Sequence, residues 1–279
     1  MFWLYDTRTG QAVQIAMPPR GLLQMFVGGP PPNRRAHAGD LRTRVLADLI
    51  RRNAEHRHDL AVVATLVVPD VTDGVHAAGG AGDDAARADT AALNVRPAEQ
   101  TAPATAVTDP VTSQEIIVGT CRVGAGPVRF EGREMAGPGA DDAAAPVRLD
   151  DLAQRELDPL VLRLAYLSVR YRDQADLSWE AFGDADRELR RWREHVAEWA
   201  ESPSKPMCAA VTAEVAAAFD DDLDTPAALR ALRGLERDPE IPPGSKLESF
   251  MHADQLLGLD LPRDIGRWSP PSQRNDSPS

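Results

Sequence analysis

The sequence predicts an α/β protein, with a Rossmann-like fragment followed by an α-helical bundle domain. Three observations carry this. Two valine- and leucine-rich runs, residues 22–27 and 60–68, flank a segment in which Leu41, Val45, Leu46, Leu49 and Ile50 recur at helical spacing. Strand, helix and buried strand make a βαβ unit, which implies parallel pairing and a right-handed crossover. From Val147 to about Leu261, by contrast, apolar and aromatic residues step by threes, fours and sevens.

Taken in order, the first strand runs into Gly28, Gly29 and Pro30, a turn composition. A helix of about four turns follows, with Asp40 as the N-cap accepting its first backbone hydrogens. In such a unit the ligand lies past the carboxyl end of the first strand, at the helix start, which is where His37 and Gly39 stand. Residues 1–73 read as the first half of the Rossmann-like domain. Residues 74–112 are Ala, Gly, Asp and Thr with few large apolar groups, and are expected to form a disordered or low-complexity insert. Residues 113–146 supply short strands at 115–118 and 128–130 around a Gly-rich turn, a remnant of the second half of the domain, and then a loose loop. Residues 147–262 form the helical bundle, and 263–279 a flexible polar tail. Within the bundle, Trp179, Phe182, Leu189, Trp192, Val196 and Trp199 share one helix face, a packing seam by its spacing. It becomes a partner surface only if solvent reaches it.

Composition narrows the class. In 279 residues, 43% apolar content suffices for a core, and no run of about 18 apolar residues or secretion-type start appears, so a soluble, cytoplasmic protein is expected. Cys121 and Cys208 stand far apart, without metal-knuckle spacing, and read as small thiols. A formal charge of −12 opposes nonspecific attraction to nucleic acid. Seven arginines nevertheless gather near the first helix, at 34, 35, 42, 44, 51, 52 and 57; a solvated helix face accounts for most of them, a phosphate-facing cluster being the alternative. His56, His58, His76, His195 and His252 have no paired-ligand spacing. In the acidic run Asp220-Asp221-Asp222-Leu223-Asp224, the following Thr225-Pro226 opens a helix, so a cap explains the carboxylates better than a metal site.

Several of these stretches, in this order, resemble the cysteinyl-tRNA synthetase family of class I aminoacyl-tRNA synthetases. Met25-Phe26-Val27-Gly28-Gly29-Pro30, then His37-Ala38-Gly39-Asp40-Leu41-Arg42-Thr43, is similar without gaps to the family's first signature. Val71-Thr72-Asp73 resembles its Ile-Thr-Asp segment, and the stretch from Val128 to Pro138 resembles the strand and loop carrying Lys-Met-Ser-Lys-Ser. Asp158-Pro159, Leu167-Ser168-Val169-Arg170-Tyr171-Arg172 and the run from Asp220 to Pro226 also match. The likeness covers about three fifths of the chain. The resemblance implies ATP as cofactor, with Gly29, Pro30, His37, Gly39, Thr72, Asp73 and Met135 at the nucleotide and His37 as the surviving catalytic histidine. The chain also resembles the ligase that joins cysteine to glucosaminyl-inositol in mycothiol synthesis, which shares the core and the Asp-rich run.

The departures from the family pattern decide the expectation. Asp40 stands where the family has the second phosphate-binding histidine, and a carboxylate repels triphosphate. Gly28 replaces the zinc-ligating cysteine, so zinc is not expected. Glu134-Met135-Ala136-Gly137-Pro138 lacks both lysines of the mobile loop, although Arg129 and Arg133 lie close by. Removing one preorganised charge-stabilising donor typically costs about 10²–10³ in rate. The expectation is a synthetase-like protein without efficient adenylate chemistry, acting as a nucleotide- or aminoacyl-binding or regulatory module. A divergent ATP-dependent ligase activating an amino or carboxylic acid, and a scaffold working through the bundle, are the alternatives. The chain stops where the synthetases add an anticodon-binding domain, so tRNA selection is not expected. The partners anticipated are ATP or an adenylate-like small molecule and another protein, not a membrane.

Overall fold

The computed structural model describes residues 1–16, 18, 20–29, 36–68, 81–107, 115–118, 121–134 and 147–267, with the side chains of 81–86 and 133–134 left aside. An antiparallel hairpin, β1 (Trp3–Asp6) and β2 (Gln11–Gln14), opens the chain. Then come β3 (Leu22–Gly28), α1 (Ala38–His58) and β4 (Ala61–Val68), with β3 and β4 parallel and in register from Leu22 opposite Ala61 to Gly28 opposite Val67. The predicted βαβ unit is therefore present.

α1 runs for 21 residues, longer than its apolar periodicity indicated. Its polar last turns hold because their arginines are paired: Arg51 with Glu55 on the helix, and Arg57 with Asp220 from the far end of the chain. Asp59, in the left-handed region at φ 52°, ends it. The helix begins at Ala38, so His37 is its cap and Asp40 its third residue, which corrects the capping role assigned to Asp40.

Part of the stretch expected to be disordered is ordered. α2 (Ala81–Ala92) and β5 (Gln100–Pro103) lie inside it, and β5 pairs in parallel with β4. Composition misleads here because the ordering comes from elsewhere in the chain. Leu93 is fully buried, Arg163 donates to the Leu93 carbonyl, and Glu99 accepts from the Ala64 amide while pairing with Arg51.

β6 (Glu115–Val118) and β7 (Cys121–Gly124) complete a five-stranded mixed sheet of order β5-β4-β3-β6-β7, in which β6 is antiparallel to β3. A second, three-stranded sheet contains β8 (Val128–Phe130), β9 (Arg133–Glu134) and β10 (Ala175–Leu177), with β8 parallel to β10. β10 lies within the segment expected to be purely helical. The helices there are α3 (Leu149–Ala153), α4 (Leu160–Leu167), α5 (Trp179–Trp199), α6 (Ala209–Asp220), α7 (Thr225–Arg237) and α8 (Pro243–Leu257). On α5 the seam is internal: Phe182, Leu189, Trp192, Val196 and Trp199 are buried, with Trp192 and Trp199 edge-on to Phe250 of α8. Trp179, at the start of the stripe, is half-buried, so solvent reaches the stripe only there. No described helix is long and apolar enough to cross a membrane.

Arginines join the sheet to the helices. Arg42 of α1 donates to the carbonyls of Gly126, Pro127, Asp173 and Arg170, which holds the approach to β8 against the approach to β10. At Gly126 a Cβ would come within 2.2 Å of the Asp173 carbonyl, so only glycine fits. Asp48 of α1 pairs with Arg52 at 2.6 Å and with Arg163 of α4 at 2.7 Å, both Asp48 and Arg163 being inaccessible to solvent. Burial alone would push the Asp48 carboxyl up, but the two guanidinium groups outweigh it and hold the carboxyl below its usual range.

Asp48→Asn should lower the unfolding free energy by about 3–5 kcal/mol at neutral pH, because it strands the Arg163 charge in the interior. A carboxyl held low in the folded state stabilises above its unfolded pKa, and that contribution is lost as pH falls through the folded value. Urea titrations of wild type and variant should therefore differ fully at pH 7 and begin to converge only as pH falls below about 4.

Candidate functional site

The site predicted at the end of β3 is built on the first turn of α1, and several of its polar groups are engaged from within the chain. The His37 amide donates to the Asp40 carboxylate at 3.1 Å, and the Asp40 and Leu41 amides donate to the His37 carbonyl. The Ala38 amide donates to the Val147 carbonyl at 3.0 Å. Tyr166 of α4 donates its hydroxyl to the Ala38 carbonyl at 2.5 Å, and burial pushes that hydroxyl well above its usual pKa. The His37 ring lies with Nδ1 3.4 Å from the Asp40 carboxylate, and both side chains are buried.

An α-helix start is a ready anion site because its first amides point outward unpaired and carry the positive dipole end. Here the anion on that turn is the chain's own Asp40. The glycines predicted at the nucleotide have local reasons to be glycine. Gly39 leaves room for the His37 ring, which a Cβ would approach to 2.9 Å. Gly29 donates to the Val67 carbonyl at 2.8 Å, and a Cβ there would sit 3.0 Å from the same oxygen. Gly28 ends β3 opposite Val67 and offers no side chain to a metal. Pro30, Thr72, Asp73 and Met135, the other nucleotide positions, lie outside the described residues.

Arg44, grouped by sequence with the other arginines of α1, belongs to this site, and sequence reasoning missed two further members, Val147 and Tyr166. Arg44 is one turn beyond Asp40 on α1; burial pulls its guanidinium below the usual pKa, and Asp40 and Asp89 act against that. The i to i+4 spacing from Asp40 was the available signal. Val147 and Tyr166 had none, since they reach α1 from more than a hundred residues away.

The arginines grouped around α1 form neither a solvated face nor a phosphate cluster in the described residues. Arg42 and Arg52 are buried, and Arg51, Arg52 and Arg57 are each paired with a carboxylate. Arg34 and Arg35 lie outside the described residues.

The acidic run distributes its carboxylates to separate structural tasks. Asp220 holds Arg57 and His58 at the end of α1, the His58 contact at 2.8 Å. Asp222 accepts from the Tyr5 amide of β1 at 2.8 Å and from the Tyr171 hydroxyl. Asp224 caps α7 by accepting from the Ala227 amide at 3.1 Å, and also binds Arg170. Asp222 and Leu223 take left-handed backbone angles, with φ of 54° and 50°, so the run turns sharply and aims successive carboxylates in different directions. No cluster of three or more metal-capable side chains occurs among the described residues. Burial pushes the Cys121 thiol up to about 12, so it stays protonated.

No family model matches the chain. Curated relatives do. The chain is 36% identical over 119 residues to the L-cysteine:1D-myo-inositol 2-amino-2-deoxy-alpha-D-glucopyranoside ligase of Mycolicibacterium smegmatis, covering 41% of this chain and 28% of that protein. It is 34% identical over 119 residues to cysteine–tRNA ligase 1 of Burkholderia lata, covering 41% and 24%, and 30% identical over 135 residues to the cysteine–tRNA ligase of Treponema pallidum strain Nichols, covering 40% and 26%. The chain spans about a quarter of the length of these relatives. A cysteinyl-tRNA synthetase-like relationship is thus shown over about two fifths of the chain.

If the acidic run is a staple, chelation should leave it intact. EDTA should not change the melting temperature, whereas Asp222→Ala should cost about 1–3 kcal/mol in urea unfolding by stranding the buried Tyr171 hydroxyl. A melting temperature that falls on chelation would restore the metal reading.

Proposed function

We propose that this chain is a cysteinyl-tRNA synthetase-like nucleotide- or aminoacyl-binding module of regulatory kind, without efficient aminoacyl-adenylate chemistry. The observation that carries the reading is the Asp40 carboxylate folded back onto the amide of His37. In-line attack on an α-phosphorus concentrates negative charge, and a site accelerates it by meeting that charge with fixed donors. Here one amide of the turn is committed to Asp40 and another to Val147. A phosphate held at this turn would lie against a carboxylate. ATP or an adenylate-like small molecule is the ligand class this reading implies, zinc is not required, and tRNA is not a partner it needs.

One observation favours a second reading, a divergent ATP-dependent ligase activating an amino or carboxylic acid. Arg44, beside Asp40 and Asp89, is a cation next to the turn that the family pattern did not anticipate. Swinging it from the carboxylates to a phosphate would supply part of the missing positive charge.

Two measurements separate the readings. Pyrophosphate exchange with ATP and each amino acid should stay at background; a rate that disappears in His37→Ala would establish the ligase instead. In calorimetry, Asp40→Asn should tighten ATP binding by about tenfold, ~1.4 kcal/mol, because it removes the repelling charge and keeps an acceptor for the His37 amide. Unchanged affinity would show that ATP does not sit at this turn.

A further inference from the structure

With Trp192 and Trp199 buried, the bundle presents a different surface to solvent. α6 and α7 form a hairpin whose outer side is a groove of about 850 Å³. Val211, Leu235 and Ile241 give it an apolar floor. Besides the capping Asp224, its rim carries Glu214, Asp221 and Asp238 against one cation, Arg230.

Gly234 lies on the same groove, in the interior of α7, and a Cβ built there would meet nothing within 4 Å. An interior glycine weakens a helix relative to alanine, and its usual justification is close approach by another backbone. No described atom makes that approach. On α6, Ala209, Ala210, Ala213 and Ala217 remain exposed, so this helix leaves apolar surface uncovered.

We propose that the α6/α7 groove docks one cationic amphipathic helix from a partner protein. Its apolar face would lie on the floor over Gly234, and its lysines or arginines on the acidic rim. The helix-in-groove mode needs an apolar trough of this kind, and the rim charge selects the sign of the partner. A second copy of this chain is opposed as occupant, because two acidic rims would face each other in a protein already at −12.

The test uses the full chain and two synthetic peptides of roughly 18 residues, each with leucine at helical spacing on one face and either lysine or glutamate on the other. The lysine peptide should bind one-to-one and saturably in fluorescence anisotropy, and the glutamate peptide at least about tenfold more weakly. Gly234→Leu, whose Cβ would meet nothing within 4 Å, should weaken the lysine peptide about tenfold or more while circular dichroism and melting show a folded protein. Glu214→Lys with Asp238→Lys should reverse the preference between the peptides. Failure of the lysine peptide to bind, equal binding of the two peptides, or indifference to Gly234→Leu would each overturn the proposal. So would a dimer in sedimentation that Gly234→Leu abolishes, which would assign the groove to a second copy.

Discussion

The fold depends on a buried carboxylate shared by two guanidinium groups. Asp48 accepts from Arg52, from Arg163 and from the Arg96 amide, and the arginines spend their remaining donors on main-chain carbonyls. Arg163 reaches those of Leu93 and Leu257, and Arg52 those of Asn94 and Gln255. The ends of α2 and α8 are thereby fixed to α1 and α4. Taking three charges out of water is expensive, and the arrangement is tolerable only because each donor finds an acceptor. Packing around it is correspondingly tight. Gly258, the left-handed cap of α8, could not carry a Cβ without coming within 2.7 Å of the Arg163 guanidinium.

That constraint also explains what the sequence could and could not disclose. The βαβ unit was legible because its signal is local: two branched-aliphatic runs around one helical period. The α5 seam was legible for the same reason, and Thr225-Pro226 announced the start of α7. The order in α2 and β5 was not legible, because their residues are small and polar and their anchors are Arg163 and Arg51, supplied from distant or adjoining elements. β10 was missed because a three-residue strand has too few positions to show alternation. Asp40 was recognised as belonging to the helix start but given the wrong place in it. The three-residue shift matters chemically, since a side chain at the third position folds back over the turn instead of leading into it.

The resemblance and the physical reading part company at the acidic run. A shared sequence there suggests shared chemistry, yet Asp220, Asp222 and Asp224 are each occupied with holding α1, β1 and α7 in place. Those contacts need no substrate. A motif whose residues serve the fold is retained whether or not the reaction is, so it supports kinship with the synthetases and says little about activity. Gly29 and Gly39 behave likewise: a Cβ would crowd the Val67 carbonyl at the one and the His37 ring at the other.

What distinguishes a working anion site from its shell is whether its donors are free when the ligand arrives. In this chain the amides of His37 and Ala38 already have acceptors, both supplied by the protein. The Asp40 carboxylate contributes to stability there, as an acid near a helix N-terminus ordinarily does. The same placement works against phosphate, because the favourable field of the helix start is spent on an internal charge. Stability and anion affinity compete for donors at this turn, and the Asp40 carboxylate, bound to the His37 amide, lies on the side of the fold.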